Sequence, residues 1–158
     1  MTNRITIRDA RPGDLAEIAD LIRALATYER LEHEVVWTES QLGETLFGAD
    51  AVPKVLLAES DGRVVGMALW FWTYSTFLGQ PGIWLEDLFV RPEHRGAGHG
   101  RALLTALRER TPHRVEWNVL DWNEPAQGFY RNLGAFPMDE WTTWRWLPPA
   151  SEPDPSAS

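Results

Sequence analysis

A glycine-rich segment of the chain has the composition of an anion-binding loop. It reads Arg95-Gly96-Ala97-Gly98-His99-Gly100-Arg101 and lies between an apolar segment and an amphipathic one. Because glycine has no side chain, successive backbone N–H groups can point into one concavity at the start of a helix, where a phosphate binds well. The segment lacks the Lys-Ser/Thr pair of nucleotide-hydrolysing loops, and its spacing differs from the dinucleotide-binding fingerprint. It therefore predicts a phosphate site of another kind, with a plain strand-to-helix turn as the alternative.

Two neighbouring acids, Glu86 and Asp87, interrupt an apolar run that is predicted to be a central strand over 83–90. A buried carboxylate must be paired, hydrogen-bonded or protonated, and such groups are enriched at functional sites. Consecutive residues of a strand point to opposite faces, so we expect at most one of the two acids to share a given cleft. For each acid the alternative is a structural role, such as pairing with an arginine or capping a loop.

A third candidate group is the phenol of Tyr130. Asn123 has the residue type of a helix N-cap, and Tyr130 follows it by seven residues, which places both on one face of the predicted helix. A phenol in that position can donate a proton to a leaving group. The alternative is a core aromatic, since Phe129 stands next to it.

The periodicity of apolar residues predicts the elements that position these groups. Asp14 with Glu17, and Thr38 with Gln41, have the spacing of capping boxes at helix starts. The predicted strands cover 4–8, 55–59, 64–74, 83–90, 115–120 and 141–147, and the predicted helices cover 14–28, 38–48, 103–110 and 123–134. The last strand is apolar on both faces, which favours burial of both.

Composition limits the classes of protein that the chain can represent. Its 158 residues, 44% apolar and 24% charged, fit one globular domain, which we place at 1–147, followed by a Pro/Ser-rich acidic tail at 148–158 that we expect to be disordered. A formal charge of −8 disfavours nucleic-acid binding, and no stretch approaches the length of a membrane span. The chain has no cysteine for disulfides or thiolate chemistry, and its four histidines show no metal-ligand spacing. We predict a cytoplasmic protein without a metal and without nucleic-acid or membrane partners.

Four segments spread over most of the chain resemble one family. They read Leu21-Ile22-Arg23-Ala24-Leu25-Ala26 with Tyr28-Glu29-Arg30-Leu31, Leu85-Glu86-Asp87-Leu88-Phe89-Val90, the glycine loop 95–100, and Trp122-Asn123-Glu124-Pro125 with Phe129-Tyr130. They resemble the GNAT superfamily of N-acetyltransferases, and within it the branch of diamine (spermidine/spermine) and thialysine acetyltransferases. The resemblance implies an α+β (mixed α/β) fold, with a central mixed, mostly antiparallel sheet of about seven strands flanked by about four helices.

The resemblance also implies roles for individual residues. An amine attacks acetyl-CoA directly, with Glu86 as the base acting through water and Tyr130 as the acid that protonates the leaving thiolate. A backbone N–H near Leu88 polarises the thioester carbonyl. Tyr28, Glu29 and Glu86 line the amine pocket. The residues implied to hold the coenzyme are Leu88, Phe89, Val90, Arg95, Gly96, Ala97, Gly98, His99, Gly100, Arg101, Asn123, Pro125 and Ala126.

Several substrates and one non-enzymatic role remain as alternatives. The net charge favours a small cationic amine, namely a polyamine, a diamine or a thialysine-like amino acid, and an antibiotic or a protein amine is the alternative acceptor. The acids Glu29, Glu32, Glu34 and Glu39 either line the amine pocket or form a solvated face. A catalytically silent acyl-CoA-binding or interaction module is the alternative to an enzyme.

Two further expectations concern an amino-acid substrate and the assembly. An amino acid would need a cation for its carboxylate, for which Arg23 and Arg145 are the candidates. The apolar last strand, together with the family's habit of exchanging or pairing C-terminal strands, predicts a homodimer.

Overall fold

A computed structural model describes residues 4–150, which divide after Asn118 into two compact units. The first unit contains the strands Ile5–Asp9 (β1), Lys54–Ser60 (β2), Arg63–Ser75 (β3), Gln80–Val90 (β4) and Val115–Trp117 (β5), and the helices Leu15–Tyr28 (α1), Glu39–Phe47 (α2) and His99–Arg108 (α3). The second unit contains the helix Glu124–Asn132 (α4). The single domain over 1–147 stays a prediction, and the predicted tail lies outside the described residues from position 151 onward.

The five strands form one sheet in the order β1-β2-β3-β4-β5. The first four pair antiparallel, and β5 pairs parallel to β4, which confirms the predicted mixed, mostly antiparallel sheet. The turn between β2 and β3 consists of Asp61 and Gly62, whose φ angles of 50° and 83° are those that a two-residue hairpin turn requires.

The two faces of the sheet are covered by different helices. Helices α1 and α2 pack on the face that carries alternate residues such as Leu57, Met67 and Phe89. Helix α3 contacts the first four strands. Its leucines Leu103 and Leu107 are fully buried but do not belong to the cluster formed with α1 and α2. Because side chains alternate between the two faces of a strand, we place these leucines on the opposite face of the sheet.

The two predicted capping boxes differ in outcome. At α2, the Gln41 N–H donates to Thr38 Oγ1 at 3.2 Å and the Thr38 N–H donates to Gln41 Oε1 at 2.9 Å, as predicted. At α1, Asp14 is the N-cap residue but makes no side-chain cap. Its carboxylate accepts from the Arg11 N–H and from the Arg8 guanidinium instead, so the capping box predicted there is wrong.

The predicted last strand is wrong. Residues 141–147 form no regular structure, and the side chains of Trp141, Trp144 and Trp146 are exposed, the last almost completely. Alternating aromatic residues predict a strand only where a neighbouring strand is available to pair with it, and a lone strand is not stable. The sheet therefore has five strands among the described residues, where about seven were expected.

Candidate active site

One edge of β4 is open over its second half. Strand β5 pairs only with Ile83–Leu85, whereas β4 continues to Val90. The Arg91 N–H donates to the Val65 carbonyl at 2.8 Å, and groups that face a partner alternate along an antiparallel ladder. The N–H and C=O of Leu88 and Val90 therefore point away from β3. On that side of β4, no strand among the described residues of this unit pairs with it beyond Leu85. An extended chain that carries amides can add to such an edge as a strand does.

A β-bulge begins where this open edge begins. Leu69 of β3 faces Asp87 and Trp70 faces Leu85, so Glu86 is an extra residue in β4. A bulge places two residues opposite one and interrupts the alternation of side chains, so Glu86 and Asp87 do not diverge as the regular pattern predicted. The Trp84 Nε1–H donates to Glu86 Oε2 at 2.9 Å and holds this exposed carboxylate in place.

Three carboxylates interact electrostatically at the bulge. Burial, together with the negative charges of Glu86 and Glu29, raises the pKa of Asp87 to about 7. Glu29, at the C-terminal end of α1, also has a raised pKa, because of burial and then the charge of Glu86. Among the described residues none of the three forms an ion pair. This acidic cluster (Glu29, Glu86 and Asp87) therefore favours the binding of a cation.

Tyr28 connects the end of α1 to the glycine loop. The Arg95 Nε–H donates to the Val90 carbonyl at 2.9 Å, and the guanidinium carbon lies 5.0 Å from the centre of the Tyr28 ring and 5.3 Å from that of Phe89. A cation over an aromatic face is attracted by the ring. That face of Tyr28 is therefore occupied by Arg95, and a substrate must approach the ring from another side.

The glycine loop has the geometry of a phosphate site. Gly96 and Gly98 have φ angles of 82° and 95°, which favour glycine, and a side chain at Gly96 would point into open space. Gly98 is the N-cap of α3 and provides no side-chain cap, and the first turn of α3 contains no acid. The N–H groups of this turn are thus available to an anion, and the helix dipole adds to the attraction. These features fit a diphosphate group.

The remaining predicted coenzyme residues contribute in different ways. The Phe89 side chain is buried in the core, so only its backbone can contact a ligand. The exposed Arg101 side chain lies in the first turn of α3, close to the glycine loop. Asn123 caps α4 in the second unit by accepting from the Ala126 N–H at 3.3 Å, which leaves that N–H engaged. Pro125, two residues after Asn123, has no backbone N–H to donate.

Tyr130 lies on α4 in the second unit. It is half-buried, and its ring centre is 5.6 Å from that of Phe129. The helix predicted to begin at Asn123 and to carry Tyr130 is therefore present. The structure brings together Tyr28, Glu29, Glu86, Leu88 and the glycine loop in the first unit, while Tyr130, Asn123, Pro125 and Ala126 belong to the second.

The remaining acids near α1 are exposed, and Arg23, one of the two arginine candidates, is engaged by its neighbours. Glu32, Glu34 and Glu39 are exposed, which favours the solvated face for these three. The Arg23 guanidinium lies 3.4 Å from Glu39 and 4.7 Å from the centre of the Trp37 ring, so its charge is already matched. A cleft of about 730 Å³ between β1 and α3 is lined in part by Arg8 and Arg110, and both guanidinium groups are paired with acids.

Residues 4–150 contain neither a candidate metal site nor a candidate membrane span. No group of three or more His, Asp or Glu side chains there is arranged to hold a metal ion. No helix in that range is both long and apolar enough to cross a membrane. The predictions on metal and localisation stay predictions.

Comparison with known proteins decides the family. The model of the acetyltransferase (GNAT) family matches residues 18–135. This chain belongs to that family. Thialysine N-epsilon-acetyltransferase from Bos taurus is 37% identical to this GNAT protein over 152 residues, which cover 89% of each chain. L-ornithine N5-acetyltransferase NATA1 from Arabidopsis thaliana is 33% identical and covers 88% of this chain and 82% of its own. A solved integron cassette protein from V. cholerae superimposes with a TM-score of 0.76 at 22% identity and covers 94% of each chain.

Asp87 is the residue that the sequence interpretation left out of the site. The resemblance implies a role for Glu86 and none for Asp87, and regular alternation predicts that the two acids lie on opposite faces of the strand. The signal was the pair of acids in an apolar strand, but the bulge that reunites them depends on pairing with β3 and is not visible in β4 alone. For a GNAT acetyltransferase, which uses acetyl-CoA as its co-substrate, the open edge and the glycine loop are the features that suit the coenzyme.

Proposed function

We propose that this GNAT acetyltransferase transfers the acetyl group of acetyl-CoA to the terminal primary amine of a small cationic acceptor. A diamino acid of the thialysine or ornithine type is the first candidate, and a polyamine or diamine is the second. The observation that carries the proposal is the acidic cluster at the bulge of β4, whose carboxylates form no ion pair among the described residues. The similarity to a thialysine N-epsilon-acetyltransferase and to an L-ornithine N5-acetyltransferase supports the first candidate.

The coenzyme has two complementary surfaces in the first unit. The N–H groups of the glycine loop and of the first turn of α3 would hold the diphosphate, and the open β4 edge would bind the amides of the pantetheine arm. When bound, acetyl-CoA supplies an activated thioester. The Leu88 N–H, which points to the open edge, would donate to the oxygen that gains negative charge.

The acidic cluster has two tasks with the amine. A primary ammonium has a pKa near 10, so the substrate arrives charged and is attracted by the carboxylates. To attack, the amine must lose a proton, and the exposed Glu86 is suited to accept it through water. The nitrogen then bonds to the acetyl carbon and gives its second proton to solvent as the carbon–sulfur bond breaks. The leaving thiolate takes up a proton, and Tyr130 is the donor that the family resemblance implies.

The role of Tyr130 is tested by Tyr130→Phe. The change removes only the hydroxyl, so the helix packing is retained. We expect kcat to fall by about 100-fold while the affinity for acetyl-CoA changes little. An unchanged kcat would make Tyr130 a core aromatic.

The proposed reaction is tested by measuring thiol release from acetyl-CoA with a panel of amines above pH 8, where more of each amine is neutral. The panel contains L-ornithine, thialysine, spermidine, 1,4-diaminobutane and an aminoglycoside, with Glu86→Gln as the impaired control. We expect turnover with a cationic small amine. Tight acetyl-CoA binding in calorimetry without release on any amine would support the silent module, and absence of binding would reject both roles.

A homodimer belongs to the same proposal. The segment 141–147 exposes the tryptophans Trp141, Trp144 and Trp146, together with Leu147, and has no strand partner among the described residues. Exposed apolar surface of this extent is typical of an interface, and a second copy of the chain is the partner that we propose. Sedimentation at micromolar concentration should give about twice the chain mass of 18.0 kDa, and a monomer would reject the dimer.

A further inference from the structure

The first residue of α3 is a histidine at a position where the fold calls for an apolar side chain. His99, Leu103 and Leu107 recur at intervals of four residues and form the buried stripe of α3. The His99 side chain is only 1% exposed, so its imidazole lies in the same environment as the two leucines. A polar ring at that position costs desolvation free energy unless its nitrogens are hydrogen-bonded.

Among the residues that the structure describes, only one of the two ring nitrogens of His99 has a hydrogen-bond partner. His99 Nδ1 lies 3.2 Å from the carbonyl oxygen of His94, and Nε2 is buried with no hydrogen-bond partner among the described residues. A carbonyl oxygen can only accept, so Nδ1 is the donor in this bond, and Nε2 remains a buried polar atom without a partner among the described residues. A buried polar atom without a hydrogen-bond partner is destabilising, so the stability of α3 alone does not account for this residue.

The one hydrogen bond of His99 spans the glycine loop. His94 ends the 3-10 turn Pro92–His94 that follows β4, and His99 begins α3. Between them lie Gly96 and Gly98, both with positive φ, and glycine loses more conformational entropy on ordering than any other residue. A bond that ties the two ends of this segment together reduces the number of conformations that the unliganded loop can adopt.

We propose that His99 is a positioning residue that holds the glycine loop in its phosphate-binding conformation through the His94 carbonyl. The inference rests on the proposed function, in which the loop binds the diphosphate of acetyl-CoA. His99 contributes no side-chain contact to the ligand, since the ring is buried and points its donor at the backbone. Its effect is preorganisation: the cofactor binds a loop that is already ordered and avoids part of the entropy loss of ordering it.

Two variants separate this role from a structural one. His99→Leu keeps the buried stripe apolar, removes the donor and also removes the unpaired Nε2. His99→Asn places an amide N–H near the position of Nδ1 and can restore the bond to the His94 carbonyl. We expect His99→Leu to raise the Kd of coenzyme A by about five- to tenfold, with kcat at saturating acetyl-CoA within about twofold and Tm unchanged or higher. His99→Asn should bind coenzyme A within about twofold of the original chain.

The result that would overturn the proposal is a His99→Leu variant that binds coenzyme A as tightly as the original chain, or one whose loss His99→Asn does not rescue. Amide hydrogen exchange of residues 95–100 in the unliganded protein gives a readout that does not need the cofactor. It should be faster in His99→Leu than in the original chain, and equal exchange would also overturn the proposal. If the original chain itself fails to bind coenzyme A, the proposed function fails, and the exchange measurement still decides the role of His99.

Discussion

Two groups of acids in the first unit show opposite electrostatics. Near the start of α1, Asp14 and Glu59 lie 2.8 Å and 2.6 Å from the Arg8 guanidinium, and this pairing lowers the pKa of Asp14 to about 2. At the bulge of β4, burial together with the like charges of Glu86 and Glu29 raises the pKa of Asp87 to about 7. An acid paired with an arginine stabilises the fold. An acid that lies among other acids is stabilised in its charged form only when a cation binds beside it, and a cationic substrate can provide that charge.

The largest expected effect is a loss of activity on substitution in the acidic cluster that the acid paired with Arg8 does not show. Asp87→Asn removes a charge from the acidic cluster and should lower kcat/KM for a cationic amine by about 100-fold, chiefly through KM. Asp14→Asn is the matched control, since it is the same chemical change at the paired acid, and it should leave kcat/KM within about threefold. Equal losses in the two variants would show that the acidic cluster has no special role in binding the amine.

The same pair of variants should change stability in opposite directions. The folded-state pKa of Asp87 is raised above its unfolded value, so its ionisation destabilises the fold as pH rises from about 4 to about 7, at about 1.4 kcal/mol for each pKa unit. Asp87→Asn should therefore raise Tm at pH 8 and change it little at pH 4.

For Asp14 the sign is reversed. Its lowered pKa contributes stability above about pH 4 that is lost as pH falls through about 2. Asp14→Asn should therefore cost about 1 kcal/mol at pH 8, after allowance for solvent screening of the pair. Urea unfolding at both pH values measures these differences, and a lower stability of Asp87→Asn at pH 8 would contradict the assignment of an unpaired acid.

A pH profile sharpens the contrast further. Because the cationic amine requires ionised Asp87, kcat/KM should fall by up to about tenfold per pH unit below pH 7. Asp87→Asn should lose this inflection, and Asp14→Asn should keep it. An inflection that persists in Asp87→Asn would assign the pH dependence to another group.

The smallest expected effect concerns Glu29. Glu29→Gln removes one of the two neighbouring charges that raise the pKa of Asp87, so the inflection of the pH profile should move to lower pH. The accompanying loss in kcat/KM should be about threefold at pH 8, since two carboxylates remain. An inflection that stays in place would show that the charge of Glu29 does not contribute to the raised pKa of Asp87.

The sequence predicted those parts of the molecule that depend on local pattern. The strand–loop–helix unit around the glycine loop, the Thr38 capping box and the Asn123 cap were all predicted, because propensity, capping chemistry and apolar spacing act within a few residues. The resemblance in the motifs gave the family, which the family match confirmed.

The features that were missed depend on partners distant in sequence. The bulge at Glu86 arises from the register with Leu69 and Trp70, and this register made Asp87 part of the acidic cluster. Asp14 binds Arg8 across the β1–α1 turn instead of capping α1, because a guanidinium competes with the helix for the carboxylate. The strand predicted at 141–147 needed a pairing partner that the chain does not supply among the described residues.

The most direct test of the account is a ¹³C NMR titration of the Asp87 carboxyl carbon, without ligand and with saturating 1,4-diaminobutane. We expect a pKa near 7 in the free protein and a fall of about one unit or more with the diamine, because an ammonium beside the carboxylate favours its charged form. Butane-1,4-diol, which has the same length without charge, should leave the pKa unchanged, and the pKa of Asp14 should stay near 2 throughout. A pKa of Asp87 near 4 in the free protein, or one that the diamine does not move, would contradict the claim that the acidic cluster binds a cationic amine.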